Sequence, residues 1–494
     1  MNSTTADIES RRKAATQSLD AKHRSQFGQY FTPEPVAQFM ASLIKRPRGG
    51  KRLSILDPGA GIGSLSAALL AHVKGRGDVT AYELDPAFQR DLRDTLRAYP
   101  GKHVILQRDF IEQAVLDVAT GKTEGGHFDT VILNPPYKKI NTDSKHRLLL
   151  RKLGLETSNL YTCFMACAIA LCRPGAEVVA IIPRSWMNGL YFLPFRHWLF
   201  RHAALTHIHL FDSRDRAFKD DGVLQENVIV RLVVGGTQES VEVSSSRDQT
   251  FADLKHHVVP FASVLTPGDE QMFVHVPAPG AASTEGLPGQ PLRELGLDVC
   301  TGPVVDFRLR EHLRAEPCDG SVPLLYSTHF NGHFGWPRPS RKPNAIMVND
   351  DTRGWLMPAG CYVVLRRFTS KEEKRRVVAF LLDEDALPGD LVGFENHLNV
   401  IHQDRHGIEP KVARGLAAYL NSQAVDDYFR TFSGHTQVNA TDLRRLRYPP
   451  MAELRKLGDQ LEEEGRRSTP DSGRSRHAKG AAKRAVRSVP ARDL

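Results

Sequence analysis

Four polar side chains stand at the ends of apolar runs in the first third of this 494-residue chain. Asp57 follows LSIL, Glu83 follows DVTAY, Asp109 follows VILQR and Asn134 follows FDTVIL. They recur at intervals of 26, 26 and 25 residues. Each interval has room for a loop, one helix and the next strand, close to the ~30 residues of a βαβ unit. Parallel strands in such units point the same way. The spacing therefore predicts all four side chains at one edge of a sheet, where open α/β folds bind their ligands. The last of the four opens the tetrapeptide Asn134-Pro135-Pro136-Tyr137. Two consecutive prolines remove two N–H donors and fix φ, so this corner is rigid and cannot extend the sheet. A rigid corner carrying an amide and an aromatic ring is suited to holding something flat.

The loop after the first run reads LDPGAGIGSLS. Gly59, Gly61 and Gly63 permit positive φ and let a ligand approach the backbone, ahead of a helix predicted to begin near Ser64. No Lys-Ser/Thr follows, so the loop is not a phosphate-cradling P-loop. A nicotinamide dinucleotide, a flavin and S-adenosylmethionine all suit such a turn, and Glu83 would bind ribose hydroxyls in each case.

These residues need a framework to hold them. Seven strand-like runs (RLSILD, DVTAYELD, HVILQRDF, FDTVILN, AEVVAIIP, LTHIHLF and NVIVRLVV) alternate with helical patterns such as GSLSAALLAHV, PAFQRDLRDTLRAY, SNLYTCFMACAIALC and YFLPFRHWLFR. Apolar strands alternating with helices predict a parallel sheet covered on both faces, here an α/β domain over residues 23–238. Thr32-Pro33 reads as the cap and first turn of a preceding helix. Residues 1–22 are polar and aperiodic, as expected of a flexible arm. Beyond a polar connector, residues 239–455 lose the alternation and predict a mixed α+β domain. Residues 456–494 read as a basic, disordered tail.

A net charge of +9 and a pI of about 9.2 favour a polyanionic partner. No run is long and apolar enough for a membrane helix, and the N-terminus has no signal core, so a cytoplasmic location is expected. Six cysteines include no CxxC pair; Cys163, Cys167 and Cys172 read as reduced core thiols. His207 and His209 share one strand face and read as structural, without a third ligand to make a metal site.

Taken together, FTP, DPGAGIGSL, YELD, RDF and NPPY in this order resemble the γ-type amino-methyltransferases that methylate adenine N6 in DNA. NPPYKKI, NLYTCF, IIPRSWMNGLYFLPFR and AFKDDGVLQENVIV resemble, more narrowly, the PstI/BsuBI group of type II modification methylases. The resemblance covers residues 26–236 well and the rest loosely. It implies a Rossmann-like methyltransferase sheet, S-adenosylmethionine as cofactor and double-stranded DNA as substrate. It also implies a target-recognition role for residues 239–455, a monomer, and a separate restriction endonuclease.

By the same resemblance, Tyr30, Phe31, Thr32 and Pro33 would close over the methionine end of the cofactor, and Asp57, Gly59 and Gly61 would line it. Glu83 would bind the ribose, and Asp109 would hold the cofactor's adenine, with a helix N-cap as its alternative role. Asn134 borders the cofactor. Its side-chain oxygen and the Pro135 carbonyl would accept the two N–H groups of the target amine, with Pro136 stiffening the corner. Tyr137 and Phe218 would stack on a flipped base. Arg366, Arg367, Gln437 and Asn439 are candidate base readers. The competing readings are a methyltransferase acting on RNA guanine or protein glutamine, and a non-catalytic specificity subunit. The first group usually lacks the QYFTP segment and a large C-terminal region; the second predicts a decayed NPPY or glycine loop.

Overall fold

Strand centres with nearly every position buried explain why the runs read as continuous apolar stretches: both faces of the sheet are covered. The computed structural model describes residues 8–14, 31–121, 127–211, 226–277, 287–331, 334–369, 373–433 and 437–467, with residues 465–467 described by backbone alone. It divides into two compact units, residues 1–282 and 283–494.

In the first unit β1 (Leu53–Pro58), β2 (Gly77–Tyr82), β3 (Val104–Leu106), β4 (Phe128–Leu133) and β5 (Cys172–Pro183) are parallel, in the order β3-β2-β1-β4-β5. Helices α1 (Glu34–Ser42), α2 (Ser64–His72), α3 (Gln89–Arg97), α4 (Phe110–Thr120), α5 (Lys145–Arg151), α6 (Leu160–Ala170) and α7 (Leu193–His202) surround them. Alternate residues of β5 feed two cores. Val178, Ala180 and Ile182 pack with α4 and α6, whereas Val179 and Ile181 share a cluster with α1, α2 and α3. Each such fully buried Val or Ile side chain contributes roughly 1.5–3 kcal/mol. Cys163, Cys167 and Cys172 are free thiols in this core.

The sheet is mixed rather than wholly parallel. β7 (Asn227–Val234) runs antiparallel between β5 and β6 (Ala203–Phe211). An apolar run carries no mark of its direction, so sequence pattern could not show this. β8 (Val241–Ser246) and β9 (Lys255–Val259) then extend the sheet to the order β3-β2-β1-β4-β5-β7-β6-β8-β9. VEVSSS and KHHVV are too polar to read as core strands, and the expected boundary at 238/239 therefore fell short. Once paired, β8 covers the otherwise open edge of β6. Its Ser244 hydroxyl lies 2.7 Å from His207 Nε2 and 2.8 Å from His209 Nδ1. Burial pushes His209 down to about 3, with His207 adding to the effect, so it is a neutral, structural imidazole.

Residues 8–14, expected in the flexible arm, are helical. Ile8 packs with Phe31, Ile62 and Phe88, and the Arg11 guanidinium donates to the Asp91 carbonyl at 3.3 Å. Seven residues are too few to show a period.

The second unit holds a four-stranded antiparallel sheet ordered Asp298–Thr301, Leu398–His402, Tyr362–Arg366, Ala379–Leu382, and a five-stranded sheet built around Ser321–Leu325. The helix Met451–Arg467 crosses the helix Pro410–Leu420 so closely that a Cβ on Gly415 would strike the Leu454 carbonyl, and one on Gly458 the Lys411 carbonyl. Lys411–Asp459 at 2.8 Å and Arg414–Glu462 at 2.7 Å flank the crossing. Residues 456–467 thus belong to this unit and not to a tail. The tail arginines from Arg474 onward lie outside the described residues. No helix among the described residues is long and apolar enough to cross a membrane.

Candidate active site

The loop after β1 is stitched to the loop after β2. Gly59 and Ala60 donate their N–H groups to the Tyr82 carbonyl at 2.8 and 2.9 Å. Gly61 N–H donates to Glu83 Oε2 at 2.7 Å, and Asp85 N–H to Glu83 Oε1 at 2.7 Å. Gly61, at φ +56°, faces the Phe31 ring, which an added Cβ would meet at 3.0 Å. Glu83 is buried, and desolvation pushes its carboxyl up to about 6 although the two N–H donors pull the other way.

Asp57 sits deeper. It is fully buried, its Oδ2 accepts from the Ser66 hydroxyl at 2.6 Å, and its Oδ1 finds no partner. Burial pushes this carboxyl up to about 7 from an ordinary 3.8. Between those values the folded chain holds a proton that the unfolded chain has lost, so raising the pH through this window costs stability. Asp57→Asn removes that ionisation. The melting temperature of the wild type is expected to fall relative to Asp57→Asn between pH 4 and 7, and parallel profiles by calorimetry would count against the assignment.

Asp109 takes the helix N-cap role. As N-cap of α4 its Oδ1 accepts from Glu112 N–H at 3.0 Å, and it lies in the wall of the cavity described below. Its Oδ2 pairs with His146 Nε2 at 2.8 Å. Burial alone would raise this carboxyl, but the His146 bond and the backbone donor outweigh burial and hold it low. The bond to Asp109 raises His146 in turn. Asp109, Glu112 and His146 lie within 4.8 Å of one another, a grouping that these bonds and the 2.6 Å Lys145–Glu112 pair account for.

At the end of β4 the Asn134 amide is held at both ends. Its Nδ2 donates to Thr32 Oγ1 at 3.0 Å, and its Oδ1 accepts from the Tyr137 hydroxyl at 2.8 Å. That hydroxyl also lies 3.1 Å from the Ile181 carbonyl. Thr32 therefore does not cap α1; Pro33 occupies the N-cap position without a side-chain bond.

A cavity of about 370 Å³ joins these parts. Phe31, Thr32, Gly59, Gly61, Glu83, Asp109, Asn134 and Pro136 line it together. Pro33, Asp57, Pro135 and Tyr137 do not reach its wall: Asp57 and Pro135 are buried, and Tyr137 packs edge-on to Tyr161 at 6.3 Å. Tyr30 and Phe218 lie outside the described residues. Sequence reading missed Leu84, Phe110, His146, Leu160 and Phe164 in the wall. Phe110 and Leu84 directly follow two of the four spaced acids, and that adjacency was the available signal. Phe164 and Leu160 lie on a helix that is apolar all round, which hides the side facing the cavity.

Of the candidate base readers, Asn439 caps the helix Ala440–Arg445, its backbone N–H donating to Asp442 Oδ2 at 2.9 Å. Arg367 donates to the Asn396 carbonyl at 2.9 Å, Arg366 pairs with Glu373 at 3.0 Å, and Gln437 forms a β-bridge with Phe368.

A family model described as Eco57I restriction-modification methylase matches residues 83–218, and one described as N-6 DNA methylase matches residues 16–87. Type II methyltransferase M.BsuBI of Bacillus subtilis is 45% identical over 453 residues, covering 88% of this chain and 90% of its own. Type II methyltransferase M.PstI of Providencia stuartii is 39% identical over 476 residues, covering 92% and 93%. Among solved structures, the cryo-EM structure of a DrdV–DNA complex superposes with a TM-score of 0.51 at 12% identity, covering 92% of this chain and 59% of that one, a likeness of fold.

Proposed function

The chain belongs to the type II DNA methyltransferases of restriction–modification systems, and from that premise we propose that it methylates the N6 amine of an adenine swung out of duplex DNA. One observation carries the reading: Asn134 and Pro136 of the Asn134-Pro135-Pro136-Tyr137 corner line the same cavity as the glycine loop and Glu83. The methyl donor of this fold is S-adenosylmethionine, whose sulfonium supplies an activated methyl group.

The residues present fit that group. The cradle at Gly61 leaves little room for a Cβ, which would meet the Phe31 ring at 3.0 Å from a positive-φ backbone, and Asp57 Oδ1 is buried without a partner. Glu83, with each oxygen fixed by one N–H, retains lone pairs for two ribose hydroxyls. Asp109 would meet the amino group of the cofactor's adenine, and Phe31 and Thr32, with the adjoining Pro33, would close over the methionine end.

The exocyclic amine of adenine is a poor nucleophile because its lone pair is delocalised into the ring. Asn134 Oδ1 and the Pro135 carbonyl each accept one of its N–H groups, which draws the nitrogen towards tetrahedral geometry and frees the lone pair. The bond from Asn134 Nδ2 to Thr32 decides which end of the amide faces the substrate. Catalysis of this kind relies on dipoles fixed before the substrate arrives. The proton becomes acidic once the nitrogen is alkylated, so no strong base is needed. Tyr137, with Phe218, is assigned to stacking on the flipped base. The second unit reads the sequence, the enzyme acts as a monomer, and the cleaving enzyme is a separate chain.

Long-read sequencing of DNA from a methylation-free host expressing the gene tests this directly. N6-methyladenine in a single sequence context is expected; unmodified DNA, or modified cytosine, would refute it.

A further inference from the structure

Beyond Pro183 the chain makes two 3₁₀ turns, Arg184–Met187 and Leu190–Phe192, before α7. β5 is parallel to β4, with Leu133 paired to Ala180, so these turns leave the sheet at the edge where Asn134 stands. Trp186, Met187 and Phe192 point inward and are buried. Leu190 and Tyr191 point outward, 45% and 80% exposed, and Tyr191 is the most exposed large apolar side chain among the described residues.

The knuckle that presents them is stiff. Gly189 N–H donates to the Ser185 carbonyl at 2.9 Å and Phe192 N–H to the Gly189 carbonyl at 3.0 Å. Behind it the fully buried guanidinium of Arg196 donates to the carbonyls of Trp186 at 2.7 Å, Gly189 at 2.9 Å and Gln271 at 3.0 Å. Burying a cation is costly, and here it fixes the backbone on which two apolar side chains face solvent. Rings connect the knuckle to the catalytic corner: Tyr137 to Tyr161 at 6.3 Å, then Tyr161 to Phe192 at 5.6 Å, with the Tyr161 hydroxyl 3.1 Å from Ser185 Oγ.

A rigid aromatic–aliphatic pair two rings from the amine-binding corner fits one occupant, the duplex at the point where the target base has left it. Extruding a base costs unstacking and leaves a gap, and apolar side chains are the groups that fill such gaps. We infer that Leu190 and Tyr191 enter the gap opposite the flipped adenine and hold the duplex open, an assignment that rests on the adenine-N6 reading.

The test uses two duplexes carrying the sequence context found by long-read sequencing. In one the target adenine is paired with thymine; in the other it faces an abasic site, which makes extrusion easier. Tyr191→Ala should lose roughly 10- to 100-fold in kcat/KM on the paired duplex, the scale of one base–aromatic stack. On the abasic duplex it should recover to within about twofold of wild type, because little work remains for the wedge. Fluorescence of 2-aminopurine at the target position should rise less with Tyr191→Ala than with wild type, whereas Tyr191→Phe should match wild type. Cofactor affinity should stay unchanged, since Tyr191 does not line the cavity. Equal activity of Tyr191→Ala and wild type on the paired duplex would overturn the wedge, as would an equal loss on both duplexes. Wild type that methylates adenine in neither duplex would instead remove the underlying reading and the wedge with it.

Discussion

Asn134→Ala should lower the rate of methyl transfer by about 10²–10³-fold, the usual loss when one preorganised hydrogen-bonding group is removed from the transition state. The deletion removes the Oδ1 acceptor and the Nδ2 donor together. The structural cost is small: Thr32 loses one donor at 3.0 Å, and the Tyr137 hydroxyl still has the Ile181 carbonyl at 3.1 Å. Asn134 is only partly buried, so the fold should survive. Cofactor affinity by calorimetry should change only a few-fold, because the glycine loop and Glu83 are untouched. Single-turnover transfer of a labelled methyl group to DNA separates chemistry from binding. Turnover near the wild-type rate would mean that the corner does not hold the amine.

The four spaced side chains show where sequence reading succeeds. Asp57, Glu83, Asp109 and Asn134 emerge at one edge because parallel βα units repeat with nearly constant length, and length is visible in a sequence. Failures came where the deciding contact is non-local. β8 is a strand because β6 offers a free edge, and VEVSSS alone carries little of that signal. His146 reaches the cavity only because α5 folds back over Asp109, 37 residues earlier in the chain. Tyr137 illustrates a subtler limit. Its place in the tetrapeptide suggested a flat stacking face; in the structure its hydroxyl also donates to Asn134 Oδ1, a hydrogen bond that residue type permits but spacing cannot assign. The two arrangements differ by which lone pair of Asn134 Oδ1 is used, and an amide oxygen has two. On the proposed reading, Tyr137 supports the acceptor while a second donor, the target amine, approaches the same atom.

Glu83→Ala should weaken cofactor binding by about 10²-fold, since hydrogen bonds to a charged group contribute roughly 1.5–3 kcal/mol each and two hydroxyls are at stake. At saturating cofactor, kcat should stay within a few-fold of wild type. The amide Glu83→Gln should not substitute well. Each carboxylate oxygen already accepts one backbone N–H, from Gly61 and from Asp85, and an NH₂ group would face one of those donors. The same burial that makes the site selective makes it sensitive to acid. With the carboxyl at about 6, protonation competes with ribose binding as the pH falls below that value. The dissociation constant for the cofactor should then rise about tenfold per pH unit, the slope of a single proton. Above pH 6 it should level off. Because Glu83→Ala carries no such proton, its affinity should lack that slope, and the gap between the two curves should narrow to about tenfold at pH 5. A wild-type profile flat from pH 5 to 7, measured by calorimetry, would remove Glu83 from the ribose site and leave it only the task of tying the first two loops together.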